Sequence, residues 1–496
     1  MQRKEMRAPV VFTLIRNVTI ALLSFISFPF ASQALGSAAM GMYSWANTFV
    51  YYFLIISRLG IPLIAIRECA KVKDNPEELN KKVQSFFVLQ LITTALSFIF
   101  LLAIMFIGKD TFIVGDTWNL IFLLSINFLI GVFSFEWVYI ALDRVFYMAT
   151  RAVILTIFSA LLIIVFVQND HDLFLYGFIN ILGTIITVIL NIILLKKEGI
   201  KLSFKRKIEL GYLTKSLLFV FGITFLITAY NQNDSFLLGL LDTSYNSSGA
   251  YAVGVRGIEI VITIITSLSA VFVVRTTRAV KENDQKSFHQ IVSYSMNIIF
   301  FIGVPAVMFM IGLSSEIVGF IVQGSPYWTI SAEKDAITIV ILLAGLMLTY
   351  SIHDAIYQQI LVPLNKEKIY FFTMLGALIF NITFSVLLAL FVFKDNVVFA
   401  IALVTLISEF IILITLLIVL RKNIVRHVFS LNNLKIIGSS ALSLVVTILV
   451  KGFLPLTNPL SIIGVSILIG GVLYLLLLFI AKEELVYNQV KGEKNG

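Results

Sequence analysis

Fourteen windows of mostly apolar residues, each about 20 long, succeed one another along this 496-residue chain. They lie near 10–31, 40–63, 85–107, 118–141, 146–167, 173–195, 217–241, 249–274, 296–315, 336–361, 370–393, 397–420, 436–454 and 459–481. A helix of that length rises about 30 Å, the thickness of the hydrocarbon layer of a bilayer. The pattern predicts an all-α polytopic membrane protein with about 14 transmembrane helices. Composition agrees: 59% of residues are hydrophobic and 13% charged, with mean hydropathy +0.98, too few polar side chains to coat a soluble domain. The first window is no cleaved signal peptide, because it outruns an h-region, holds Arg16 and Asn17 and is followed by thirteen further spans.

The formal charge of +9 does not point to nucleic acid, because the basic residues are confined to loops between apolar runs. Loops on the N-terminal side hold 30 of the 37 Lys and Arg, the opposite loops hold 4, and 3 lie within spans. The positive-inside rule then places both termini in the cytoplasm. A single cysteine, Cys69, excludes an internal disulfide and reads as packing at a helix end, and the four histidines lack metal-ligand spacing. No Gly-rich phosphate loop appears and no loop is long enough for an enzyme core, so neither a cofactor nor catalysis is expected.

Counted forward by 208 positions, the landmarks of residues 41–75 return. Gly41 and Tyr43 map onto Gly249 and Tyr251, Arg67 onto Arg275, Lys73 onto Lys281 and Asp74 onto Glu282, without a gap. Such a parallel repeat predicts two six-helix lobes, 1–195 and 217–420, joined by a basic cytoplasmic linker, 196–216. Leu202, Phe204, Ile208, Leu210 and Leu213 would let that linker rest on an anionic membrane surface. Residues 421–496 add two extra helices and a cytoplasmic tail, with room for a lipid chain beside them. Glu316 to Asp335, with Gly324, Pro326, Tyr327 and Trp328, is the longest outer connection and reads as an interfacial turn.

Ionisable side chains inside a membrane are costly, and they mark function by default. Arg16, Arg58 and Arg256 keep their charge at any depth and offer phosphate a bidentate fork, so together they predict an anion site. Arg256 and Glu259 also stand i, i+3 and could neutralise each other. The acids Glu136, Asp234, Glu259, Asp354 (beside His353) and Glu409 are candidates for coupling to Na+ or H+, or for structural pairing. Asp234 closes a polar run, Tyr230-Asn231-Gln232-Asn233-Asp234, expected to line water or sugar, with Asn231, Asn233 and Asp234 as substrate contacts. Trp45, Tyr51, Tyr52, Trp137, Tyr139 and Tyr230 could stack on sugar rings, whereas Tyr43 and Tyr251, at span starts, read as an aromatic belt.

The opening Gly41-x-Tyr43, then Leu59-Gly60-Ile61, then Arg67-Glu68-Cys69-Ala70-Lys71 resembles the polysaccharide-transport branch of the multidrug/oligosaccharidyl-lipid/polysaccharide exporter superfamily. The resemblance extends over the whole chain as a fourteen-span plan. It implies a flippase carrying an undecaprenyl-diphosphate-linked oligosaccharide, a capsule, O-antigen or teichoic-acid precursor, to the outer leaflet of the bacterial cytoplasmic membrane by alternating access. Membrane lipids, and possible glycan-assembly enzymes, are the implied partners. Related peptidoglycan-precursor flippases carry cavity arginines in spans 1, 2 and 8, the spans of Arg16, Arg58 and Arg256. A cation-coupled multidrug antiporter of the same superfamily is the alternative, although its cavity calls for carboxylates rather than arginines.

Overall fold

A computed structural model describes residues 7–109, 111–113, 115–201, 211–420, 428, 430–453 and 456–491. The linker positions Leu202, Phe204, Ile208 and Leu210 lie outside the described residues, as does part of the tail. Among the described residues twelve helices, or thirteen with one bent pair, are long and apolar enough to cross a membrane. The chain is an all-α, multi-pass membrane protein.

The first helix, α1 (Arg7–Arg58), is 52 residues long. At 1.5 Å per residue it would be about 78 Å, more than twice the hydrocarbon thickness. It therefore breaks, at Gly36 (φ 77, ψ 179), into the first two predicted spans. The break strands backbone groups that hydrocarbon cannot satisfy. Tyr327 and Trp328 supply the partners: Trp328 Nε1 donates to Ser32 O at 2.8 Å, and Ser37 N donates to Tyr327 O at 3.3 Å. The long outer connection is thus partly helical, and its aromatic tip seats on α1.

After α1 come α2 (Ile61–Ala70), α3 (Pro76–Gly108), α4 (Thr117–Gly131), α5 (Glu136–Ala141), α6 (Val145–Phe166), α7 (Leu173–Lys197) and α8 (Thr214–Leu241). Then follow α9 (Asn246–Lys281), α10 (Gln285–Gly312), α11 (Ser314–Val322), α12 (Ile330–Leu343) and α13 (Leu346–Ile356). The last are α14 (Glu367–Leu387), α15 (Val397–Val419), α16 (Leu431–Phe453), α17 (Pro459–Ile480) and α18 (Glu484–Lys491). Two predicted spans are broken rather than continuous. The fourth divides at Phe135 (φ 49) into α4 and α5, and the tenth bends by 44° between α12 and α13.

The chain divides into two compact units, Met1–Ala252 with Pro326–Trp328, and Val253–Ser325 with Thr329–Gly496. In the first, α1 packs along α3, α4, α6 and α8. The repeat is legible in its contacts. A side chain on Gly41 would strike Tyr245 O, and one on Gly249 would strike Ser37 O, two glycines and two carbonyls each 208 apart. Such reciprocity is what a two-fold relation between the helix starts produces. In the second unit, α10 packs on α13 and α16, α14 on α15, and α16 on α17.

The Leu59-Gly60-Ile61 signature is the end of α1. Leu59 (φ 42) and Gly60 (φ 70) turn the chain in the left-handed region, and α2 restarts behind them. Below the turn, Ile61, Ile64, Ala65 and Cys69 pack with Phe86, Phe87, Trp137 and Tyr139. Replacing Gly60 with Ala puts a Cβ 2.8 Å from Leu217 O on top of the strained φ. Gly60→Ala is expected to cost about 1–3 kcal/mol, read as a lower unfolding temperature in detergent. In the loop before α9, burial works against the Asp242 charge, but hydrogen bonds from Ser244 and Ser247 outweigh it and hold the carboxyl below the ordinary aspartate range. Its contribution is present above the unfolded aspartate value and is lost as pH falls through the lower folded one. Asp242→Asn should therefore flatten the acid limb of a stability–pH curve and leave the neutral-to-alkaline part parallel to wild type.

Candidate functional site

Arg16, Arg58, Arg151 and Arg256 lie on membrane helices, and the fold treats them in two ways. Arg16, half-buried on α1, donates Nε and Nη2 to Asn17 Oδ1 at 3.2 and 3.0 Å, a neutral partner that leaves its charge in place. Arg58 is the last residue of α1 and is exposed where the chain turns away. The carbonyl end of the helix favours a cation there. Among the described residues no carboxylate forms an ion pair with either.

The other two are matched. Arg256, on α9 in the second unit, faces Glu259 at 3.5 Å one turn along, as the i, i+3 spacing allows. Arg151 stands six residues into the fifth window. It is a helix residue of α6 with 5% of its side chain exposed, and its Nη2 donates to Glu136 Oε1 at 2.7 Å. Its Nη1 donates to Asn191 Oδ1, which also accepts from Tyr147 Oη at 3.3 Å. Glu136 is thereby the counter-charge of a buried guanidinium. Its apolar window was the signal that could have found Arg151; the partner, on another helix, had none.

The polar run of the seventh span lies on α8 and mostly faces protein. Tyr230, Asn233 and Asp234 are buried, Gln232 accepts from Thr48 Oγ1 at 3.0 Å, and Asn231 is exposed. Tyr251 donates to Asp234 Oδ2 at 2.6 Å and is buried, so it is a carboxylate partner rather than part of an aromatic belt. Trp45, Trp137 and Tyr139 are also buried; Trp45 Nε1 donates to Phe236 O at 3.1 Å, tying α1 to α8. Their rings fill the interior and are not available for stacking on a sugar.

In the second unit the structure gathers residues that were far apart in sequence. His353 on α13 and Glu409 on α15 are 0% and 2% exposed, with Nε2 and Oε2 3.2 Å apart. Tyr370 Oη on α14 stands 3.2 Å from His353 Nδ1. Asp354, the neighbour of His353, instead accepts from Gln358 Nε2 at 2.8 Å. Between α10 and α17 runs an apolar groove of about 760 Å³, lined by Ile298, Phe301, Ile302, Leu475 and Leu476. It shares Tyr294 and Leu485 with a polar cavity of about 670 Å³ that holds Arg275, Gln290 and Asn297. No group of three or more His, Cys, Asp or Glu able to hold a metal is present among the described residues.

Residues 7–276, more than half of the chain, match the family model described as polysaccharide biosynthesis protein. The chain belongs to that family. Its fold is similar to that of the lipid II flippase MurJ in an inward closed conformation, with TM-score 0.70 at 18% identity over 97% of this chain and 99% of that one. It is similar as well to an inward-facing multidrug resistance MATE family transporter of the MOP superfamily, with TM-score 0.62 at 14% identity over 82% and 98%. No curated protein matches. The family match and the fold likeness agree with the resemblance carried by Leu59-Gly60-Ile61 and the residues around it.

The Arg151–Glu136 pair lends itself to a double-mutant cycle. Glu136→Gln leaves a buried guanidinium without its counter-charge, and Arg151→Ala removes both that charge and its hydrogen bonds. Each is expected to lower the unfolding temperature, and the double variant should recover about 0.5–3 kcal/mol relative to the sum. Strict additivity would mean that the pair does not interact.

Proposed function

We propose that this protein is a flippase that moves an undecaprenyl-diphosphate-linked oligosaccharide from the inner to the outer leaflet of a bacterial cytoplasmic membrane, both termini being cytoplasmic. The observation that carries the reading is the sorting of arginines. Arg151 and Arg256 have carboxylates at 2.7 and 3.5 Å, whereas Arg16 and Arg58 keep their positive charge without one among the described residues. Arg16, half-buried beside a neutral amide, is costly to hold unless an anion arrives to share its field, and Arg58, exposed at a helix end, presents its charge to one. The diphosphate of a polyprenyl carrier is such an anion, and guanidinium suits it better than ammonium does.

The lipid half of the substrate has a matching feature in the second unit. The groove between α10 and α17 is apolar over its length, and one of its walls is an appended C-terminal helix. A prenyl chain would rest there while the sugar travels through water. Arg256, beside Glu259, and exposed Asn231, with buried Asn233 and Asp234 next to it, would meet the head group later in an alternating-access cycle. Outward movement of an anion also runs down an inside-negative potential, by about 2.3 kcal/mol per charge per 100 mV. The family supports a glycan precursor as cargo; capsule, O-antigen and teichoic-acid units share this carrier chemistry, and glycan-assembly enzymes would be natural partners. A cation-exporting antiporter is the weaker reading, because unpaired arginines repel its substrates.

Arg16→Ala and Arg58→Ala should each lower the lipid-linked oligosaccharide reaching the outer leaflet about tenfold or more, the value of one charge-assisted hydrogen bond. Arg256→Ala should cost less, since its charge is shared with Glu259. Leaflet-resolved labelling of the glycan in cells checks this, and normal export in both Arg16 and Arg58 variants would remove the anion site.

A further inference from the structure

We propose that His353 and Glu409 form a proton-binding site in the second unit through which the transport cycle draws on a proton gradient, with Tyr370 adjusting to either charge state. The proposal rests on the transport reading above and adds the coupling ion and its residues. It starts from burial: both side chains are removed from solvent, and they come from helices α13 and α15, more than fifty positions apart. Counting from the ends of α15, Glu409 sits about 15 to 18 Å deep, near the middle of the span. An ionised Glu409 beside a neutral imidazole is a net negative charge in a dry interior. One proton on the pair cancels it.

The geometry leaves room for that proton to come and go. Nε2 and Oε2 stand 3.2 Å apart, yet neither atom makes an aligned hydrogen bond among the described residues. On the far side of the ring, Tyr370 Oη lies 3.2 Å from Nδ1. When the ring is neutral, the phenol donates to Nδ1 and Nε2–H points toward Glu409. When the ring is charged, Nδ1–H donates to the phenol oxygen, and the phenol proton rotates away. A hydroxyl rotor thus accommodates both states without moving a heavy atom.

Among the surrounding groups, Asp354 on the same helix also feels the His353 charge, while Glu409 is the carboxylate that faces the ring. On the same helix, Tyr350 packs edge-on against the imidazole and Asp354 is taken up by Gln358. Tyr357 stacks on Tyr370, and Gln359 donates to Ser295 of α10 at 2.9 Å. Glu409 is the sole ionisable residue of α15; α14 adds Glu367, Lys368 and Tyr370, and α10 carries Lys286, His289 and Tyr294 but no acid. One carboxylate, one imidazole and a phenol suit a proton. A sodium ion would ask for a shell of oxygens that this cluster lacks.

The backbone offers a way to convert the charge change into movement. His353 lies on the 11-residue α13, which is bounded on one side by the 44° bend after Leu343 and on the other by a π-helical turn, Tyr357–Leu361. Breaks of both kinds concentrate at functional hinges. A rod between two soft joints, anchored to α15 by a charge that appears and disappears, is a natural element for coupling.

Two measurements on the full-length protein test this. With only four histidines in the chain, isotope-labelled imidazole signals in lipid nanodiscs are separable, and His353→Gln assigns the one of interest. His353 should change protonation state across a pH series, and Glu409→Gln should alter that transition. A ring fixed in one state, or a midpoint untouched by Glu409→Gln, overturns the site. In proteoliposomes, an imposed pH gradient should speed wild-type flipping of a fluorescent polyprenyl diphosphate several-fold, and the acceleration should vanish in His353→Gln and Glu409→Gln. Wild-type flipping that ignores the gradient overturns proton coupling and leaves the flippase reading standing. Absence of flipping with and without the gradient overturns the flippase reading, and the coupling with it.

Discussion

Charge in a medium that cannot solvate it is the constraint on which this protein depends. Water would let any arginine stand alone; hydrocarbon demands that each be paired, be carried to a wet surface, or wait for a counter-ion. The fold uses all three solutions. Arg151 is closed off with Glu136 and Asn191, Arg256 leans on Glu259, Arg58 is exposed at a helix end, and Arg16 has an amide beside it and no carboxylate among the described residues. In the proposed flippase, function follows from the inequality among these four. A fully neutralised set would make a stable bundle with no interest in an anionic lipid.

The same economy governs the backbone. Each interruption of a helix leaves N–H and C=O groups that must be met inside the protein. At Gly36 they are met by Tyr327 and Trp328. At Leu59-Gly60 the left-handed turn lets α2 begin again over a packed aromatic layer. The break at Phe135 and the π-helical turn Tyr357–Leu361 fall beside Glu136 and His353, so irregular backbone and ionisable side chains keep company in both units. Rigid, continuous helices would be cheaper to build, but they would hold those side chains in only one arrangement.

Sequence and structure agree best where the physics is one-dimensional. Hydrophobic length alone announces the spans, and the 208-residue repeat foreshadowed the reciprocal contacts of Gly41 and Gly249 with carbonyls a repeat apart. Pairings between helices were less legible. In sequence Glu136 is open to coupling or to pairing, because its partner Arg151, fifteen residues on, lies on another helix. Tyr251 read as an interfacial ring because its position at a span start says nothing about Asp234 lying opposite. The aromatic side chains expected to stack on sugars include several that are interior packing, since a ring suited to either task has the same one-letter code.

What the sequence determined by itself was therefore the environment and the cast: a helical membrane protein and a small number of ionisable groups in places where such groups are expensive. Those conclusions rest on length, periodicity and charge, which are properties of a chain read in order. Only the tertiary structure decided which arginines are neutralised, that His353 and Glu409 face each other, and that the Leu59-Gly60-Ile61 signature is a helix break. Electrostatic energy in a low-dielectric interior depends on distances of a few ångströms between residues far apart in sequence, and those distances are set by packing.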